Sequence, residues 1–440
     1  MPSLRTLLRD KPILCLWLAA FVAFAMWFYV DRIWAPQVEL NFSDLYPRWY
    51  GARELLLHRR NPYSLEVTHE IQYWGHGRAL TAAQEGSTDE DRFAYPLYIV
   101  FVLAPTVRFS FATVTIIFRF LFPLIALLTA VLWLVALQWR CKAQVAGALA
   151  LLMFGSFPAL QCIYLQQPAL LASAFLAAGY AALATGRLGL AGVLLAISTI
   201  KPQLSGLGVL WPVFWALSDW RARRRLFVGF AVTMLALTAV SEWMVPGWMR
   251  EFLTGLLAYQ HYTRNTSLLS LLLGQRGALV ASALFVIALT VLAWKFRRDS
   301  QLSENFALVS CLTLSVTAVV VPTMYPSTQL VLIPAILWLL AHRAEMVHGT
   351  KATRLSWLAA VYMAAWPWVA AVGSMVAVIV FGLSAVRRFW IIPVSTVPAT
   401  PITITLALAV YAMTQIRTNG SRRAVSQIET GSYARRGTPA

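Results

Sequence analysis

The sequence predicts an all-α polytopic membrane protein with about 11–13 transmembrane helices, and three observations carry that reading. Of the 440 residues, 59% are hydrophobic and only 12% are charged, against about a quarter charged in an ordinary soluble domain. Apolar runs of 18 or more residues recur, each long enough to cross a hydrocarbon core about 30 Å thick. The mean hydropathy of +0.65 leaves more apolar surface than a folded globule can hide. Lipid offers the backbone no hydrogen-bond partners, so the chain must satisfy its own polar groups within helices. Soluble, secreted, disordered and nucleic-acid-binding classes are excluded together.

In chain order, the apolar segments lie at about 12–30, 96–109, 111–138, 143–164, 167–185, 188–200, 203–218, 226–244, 278–294, 304–321, 327–341, 356–382 and 399–415. The first follows Arg5, Arg9 and Lys11, as a secretory signal would. No small-residue cleavage site comes after it, and the next stretch is aromatic and Arg-rich, so it reads as a retained span. Basic punctuation falls at Arg140/Lys142, Arg187, Arg221–Arg225, Lys295–Arg298 and Arg343–Arg354. Placing these clusters, the N-terminus and the tail in the cytoplasm gives a consistent alternation. Parity then makes 96–109, which is short and carries Pro96 and Pro105, a re-entrant segment and leaves twelve crossings. The net charge of +18 is on this reading a topology signal rather than a nucleic-acid footprint. Cys15, Cys141, Cys162 and Cys311 lie in or beside apolar runs without CxxC spacing and read as packing residues.

The organisation expected is one transmembrane domain over 1–415 and a basic, disordered cytoplasmic tail over 416–440. Two hydrophilic loops, 31–94 and 245–277, fall outside. The first holds ten of the eighteen carboxylates. It opens with Asp44 among Phe42, Tyr46, Trp49 and Tyr50, and two readings stand there. A carboxylate held at the membrane surface is placed to take a proton from an acceptor hydroxyl. An interfacial aromatic belt with an incidental capping Asp would look the same. Asn61-Pro62-Tyr63 follows, and Phe93-Ala94-Tyr95-Pro96 closes the loop, as an N1 proline or a pocket wall.

Gln166-Gln167-Pro168 and Lys201-Pro202 lie at the outer ends of two later spans. A lone Lys in a long apolar stretch is costly unless it is paired or solvated. Snorkelling to the interface and binding an anionic lipid phosphate both account for Lys201. Arg264 and Asn265 offer a guanidinium and an amide in the second loop, and Tyr325 lies in a proline-bracketed turn. No metal-binding spacing and no nucleotide-phosphate loop occurs, so the chemistry expected is cofactor- and metal-free, on the outer face, with a substrate that the membrane delivers.

In this order these motifs resemble those of glycosyltransferase family 87, polyprenol-phosphate-mannose-dependent α-mannosyltransferases of the GT-C superfamily. The matching stretches are Phe42-Ser43-Asp44-Leu45-Tyr46, Arg59-Arg60-Asn61-Pro62-Tyr63, Phe93-Ala94-Tyr95-Pro96-Leu97, Leu165-Gln166-Gln167-Pro168-Ala169, Ala191-Gly192 through Lys201-Pro202, and Asn265-Thr266-Ser267. The family's His-containing turn is replaced by Pro322-Thr323-Met324-Tyr325-Pro326-Ser327. The resemblance implies a GT-C-like bundle in the cell membrane and a polyprenyl-phosphate sugar donor, mannose first among sugars. It also implies a lipid or glycan acceptor, inversion, and Asp44 as general base. Lys201, with Arg264 and Arg59 behind it, is then expected at the departing phosphate, and Tyr46, Tyr50, Tyr63, Tyr95, Gln166, Gln167, Asn265 and Tyr325 around the pocket. Membrane lipids are expected partners and nucleic acid is not. A lipid-linked saccharide transporter or flippase would instead place its charges near the midplane between repeats. An O-antigen-ligase-like enzyme usually carries its large loop late in the chain.

Overall fold

The computed structural model describes residues 11–38, 43–81, 84, 89–262, 267–321 and 325–416, without the side chains of 259–262. Most of the expected tail, 417–440, and the candidates Arg264 and Asn265 therefore lie outside the described residues. Among the described residues the chain is helical and has no strand. Among the described residues, six helices are long and apolar enough to cross a membrane alone: Pro12–Gln37, Phe111–Ala136, Trp220–Met244, Leu268–Phe296, Lys351–Phe381 and Val397–Ile416. A seventh candidate is the pair Ala143–Phe154 and Phe157–Tyr164, bent by 61°. The remaining apolar helices, among them Ala169–Ala184 and Glu304–Val320, are shorter. The twelve crossings read from the sequence count these short helices as spans.

The long and short helices do different work. Trp220–Met244, Leu268–Phe296 and Lys351–Phe381 bury only 11% of their apolar windows, so their hydrophobic sides are turned to lipid. Ala169–Ala184 and Glu304–Val320 are instead buried along most of their length. These short helices lie in the core, and the three long ones lie at its edge.

In chain order, α1 (Pro12–Tyr29) is followed by the surface helices α2 (Tyr46–His58) and α3 (Leu65–His76) and by α4 (Ile99–Leu103). The segment 96–109, expected to re-enter the bilayer, forms only the five residues of α4 and a 3-10 turn, Ala104–Thr106. Next come α5 (Phe111–Ala136), the bent pair α6 (Ala143–Phe154) and α7 (Phe157–Tyr164), α8 (Ala169–Ala184), α9 (Leu188–Ser198), α10 (Pro202–Leu217) and α11 (Trp220–Met244). Then follow α12 (Trp248–Tyr262), α13 (Leu268–Phe296), α14 (Glu304–Val320), a 3-10 helix at Pro326–Leu332, and α15 (Ile333–Ala341). The chain closes with α16 (Arg343–His348), α17 (Lys351–Phe381), α18 (Leu383–Arg387) and α19 (Val397–Ile416).

Glycines let α9 and α11 approach closely. A Cβ on Gly192 of α9 would lie 2.2 Å from the Leu226 carbonyl oxygen and 2.6 Å from the Phe230 nitrogen of α11. One on Gly229 would meet the Gly189 oxygen at 2.4 Å. Backbone meets backbone there, as small residues permit between membrane helices.

The two ends of the bundle carry different chemistry. Helix α10 begins after Lys201 and runs about 24 Å to Leu217. At its far end the guanidinium of Arg223 stacks over Trp215 at 3.9 Å and donates to the carbonyls of Trp215, Arg297, Arg298 and Asp299. This arginine from the basic run is buried and ties α11 to the end of α13. The end marked by Lys201 gathers the polar side chains singled out in the sequence.

Candidate active site

Three chain breaks build the site. Proline destabilises helical geometry in the residue before it. Lys201, ahead of Pro202, is accordingly non-helical at φ −130°, ψ 82°, and separates α9 from α10. Gln166, ahead of Gln167-Pro168, takes a left-handed conformation at φ 53° between α7 and α8. The third break is the turn at Ser43–Leu45 that precedes α2. The Asp44 backbone N–H donates to the Leu165 carbonyl at 3.0 Å, and Ser43 Oγ donates to Gln166 Oε1 at 3.0 Å. Gln166 Nε2 donates in turn to the Thr115 carbonyl of α5 at 2.9 Å, so Gln166 serves as a clamp.

Gln167 joins the two charges. Its Nε2 donates to Asp44 Oδ2 at 2.6 Å, and its Oε1 accepts from Lys201 Nζ at 3.2 Å. The Tyr95 hydroxyl donates to the same Oε1 at 3.4 Å, and Tyr95 is itself held by Tyr63, whose hydroxyl donates to the Tyr95 carbonyl at 2.7 Å. Lys201 is only 7% exposed, and no carboxylate lies within ion-pair distance of it among the described residues. Arg48, one helical turn beyond Asp44, donates to the Asp44 carbonyl at 3.1 Å and lies 4.8 Å from the centre of the Tyr95 ring.

Arg48, Tyr95, Gln167, Lys201, Tyr325 and Ser327 wall a small cleft. Asp44 is not itself on that wall but meets it through Gln167, and it remains partly exposed. Burial pushes its carboxyl above the ordinary carboxylate range. Arg48 and then Lys201 pull it back, Asp89 pushes it further up, and the Gln167 bond lowers it. A carboxylate so raised is a stronger proton acceptor than a solvated one. Nearby, Asp91 is buried with its Oδ2 2.8 Å from His76 Nε2, and burial, followed by the charges of Asp89 and Asp44, pushes it up to about 8.

A more distant network anchors the loop. Arg60 pairs with Glu54 at 2.7 Å and Glu70 at 2.8 Å, and Asn61 Nδ2 donates to Glu251 of α12 at 2.9 Å. Arg60 holds the Glu70 carboxyl below its usual range.

The structure thus brings together Asp44, Tyr63, Tyr95, Gln166, Gln167, Lys201 and Tyr325. Three other candidates stand elsewhere. Tyr46 stacks on Trp74 at 3.8 Å and on Tyr50 at 5.5 Å, and the Tyr50 hydroxyl donates to Glu70 at 2.7 Å, so both belong to an aromatic cluster packed between α2 and α3 rather than to the cleft wall. Arg59 takes φ 56° at the C-terminal end of α2, where its backbone N–H closes the helix and its side chain is exposed. The cleft residues absent from the sequence reading are Arg48, Leu256 and Thr328, and Gln203 and Ser327 were met there only as neighbours of Lys201 and Tyr325. Only Arg48 left a signal, as a basic residue four positions after Asp44.

A sequence model of glycosyltransferase family 87 matches residues 93–323, more than half of the chain. The chain belongs to glycosyltransferase family 87. It is a multi-pass membrane glycosyltransferase, using a sugar donor and an acceptor. No curated protein and no solved structure matches it. Within this family 87 enzyme the matched range takes in Tyr95, Gln166, Gln167 and Lys201, whereas Asp44 and Tyr325 lie outside it.

Proposed function

We propose that the protein transfers a hexose, mannose in the first instance, from a polyprenyl-phosphate sugar to a lipid or glycan acceptor, with inversion, at the extracytoplasmic face of the cell membrane. The observation that carries this reading is the Asp44–Gln167–Lys201 relay, one carboxylate and one buried lysine bridged by a single amide. Asp44 takes the proton of the acceptor hydroxyl as that oxygen attacks the anomeric carbon. The bond between that carbon and the phosphate oxygen breaks, and the polyprenyl phosphate leaves with the electron pair. Negative charge thus passes from Asp44 to the phosphate. Lys201 and Arg48 supply positive charge on the cleft wall, where fixed charges in a site of low dielectric stabilise developing anions strongly.

Gln167 has a separate role: as donor to Asp44 and acceptor from Lys201 it holds both in register before substrate arrives. Orientation at the extracytoplasmic face rests on the charge distribution. Arg140, Arg187 and the Arg221–Arg225 run follow helices that lead away from the cleft, and such clusters favour the cytoplasm. The test is to incubate membranes containing the protein with radiolabelled polyprenyl-phosphate mannose, glucose and arabinose in turn. The expected result is consumption of the mannosyl donor with label passing to an acceptor. Failure to consume any of the three would overturn the reading.

A further inference from the structure

The end of the bundle away from Lys201 holds a cavity that the cleft does not use. It lies between α5, α8, α14 and α15, and Gln301 on its wall follows the Arg297–Asp299 turn that Arg223 holds. Its volume is about 220 Å³, the room of about seven waters or of one pyranose ring. Along α14 it reaches from Glu304 to Cys311, about 10 Å into the protein. Gln138, Leu302 and Glu304 on its wall are exposed at helix ends, so it opens at the end of the bundle rather than on a lipid-facing flank. One group in it lacks a partner. Trp133 is 1% exposed, and its indole N–H is buried with no hydrogen bond. The other deep polar groups are spent. The Tyr180 hydroxyl donates to the Gly208 carbonyl at 2.7 Å, and Ser310 Oγ donates to the Phe306 carbonyl at 2.7 Å and accepts from Trp211 at 3.1 Å. A buried donor left unmatched is costly, and a ligand oxygen on the Trp133 nitrogen would remove that cost.

We propose that this cavity binds one neutral pyranose sugar, its C–H face against the aromatic rings, an oxygen accepting from Trp133 Nε1, and its outer hydroxyls on Gln138, Gln301 and Glu304. The walls suit that class. Trp133 and Tyr180 stand 5.3 Å apart on α5 and α8, and Trp338 of α15 stacks on His342 at 3.9 Å. Aromatic faces of this kind cover apolar ring surface. Amides both donate to hydroxyls and accept from them, and a carboxylate accepts. Among the described residues no Lys or Arg stands on the wall, so an anionic ligand would be buried without compensation. Water alone would answer the indole and leave the aromatic faces unfilled. A quinone-like ring would answer the indole but bring no hydrogen for Glu304.

The experiment is ligand-observed saturation-transfer NMR with free mannose, glucose and galactose on the purified full-length protein in nanodiscs, without glycoside detergent. Wild type is compared with Trp133→Phe, which keeps the ring and removes the N–H, with Ala307→Trp, which fills the cavity, and with the cleft variant Lys201→Ala. The expected result is saturable binding of at least one sugar by wild type at about millimolar concentration. Trp133→Phe should weaken it about two- to tenfold, the worth of one hydrogen bond. Ala307→Trp should abolish it, and Lys201→Ala should leave it unchanged. Glucose 6-phosphate should not compete, and competition equal to that of glucose would overturn the neutral class. No saturable binding by wild type would overturn the proposal and leave water alone in the cavity. Binding that survives both cavity variants, or that is lost in Lys201→Ala, would overturn it by placing the sugar in the cleft.

Discussion

Replacing Gln167 with Leu removes both ends of the relay while keeping nearly the same side-chain volume. The bond lost to Asp44 is 2.6 Å long and runs to a carboxylate; the bond lost to Lys201 is 3.2 Å. Hydrogen bonds to charged groups are worth about 1.5–3 kcal/mol each. Losing the one that holds Asp44 should therefore cost about 10- to 150-fold in kcat/KM. The direction with pH follows from the same bond. Gln167 lowers a carboxyl that burial has already raised, so its removal raises Asp44 again. The deprotonated base is then reached only at higher pH. The acid limb of the rate profile should move upward, and part of the lost activity should return in alkaline buffer. The assay is initial-rate transfer from a radiolabelled polyprenyl-phosphate sugar across a pH series, with wild type in parallel. Activity within twofold of wild type, with an unmoved acid limb, would refute the relay.

Two other predictions concern stability. Gly192→Val puts a Cβ 2.2 Å from the Leu226 carbonyl oxygen, and overpacking of this kind costs about 1–3 kcal/mol or more. A lower thermal midpoint in detergent, with α9 and α11 forced apart, is the expected outcome, and an unchanged midpoint would contradict the packing described. Asp91 is raised to about 8 in the fold, against about 3.9 when unfolded. Its contribution is therefore full below the unfolded value and is lost as pH rises through about 8. Asp91→Asn should match wild type in acid and surpass it in alkali when thermal midpoints are compared, and the opposite order would show that the ionised Asp91–His76 pair stabilises the loop.

Much of the architecture was legible because lipid enforces it. Apolar runs announced helices, and lone polar residues at their ends, Gln166, Gln167 and Lys201, marked the places where chain breaks meet. Other features were hidden for physical reasons. An aromatic side chain near an interface has the same sequence signature whether it faces a cleft, as Tyr95 does, or stacks on its neighbours, as Tyr46 does on Trp74. Arg59 and Arg60 are adjacent, and the left-handed turn at Arg59 decides which of them reaches Glu54 and Glu70. Arg48 looks like a solvated charge on a surface helix until Tyr95 is brought against it. Thr328 left no signal in the sequence, and only the packing of the 3-10 helix puts it on the cleft wall.

In the proposed reaction everything turns on Asp44 as the group that accepts the proton. Asp44→Asn keeps the shape of the side chain and removes its basicity. The decisive measurement is therefore sugar transfer by the purified, folded variant from a polyprenyl-phosphate donor, beside binding of polyprenyl monophosphate to the same sample. Transfer should fall by at least about 100-fold, the lower range for loss of a general base, while phosphate binding persists through Lys201. Turnover equal to wild type would contradict the assignment of Asp44 as the base.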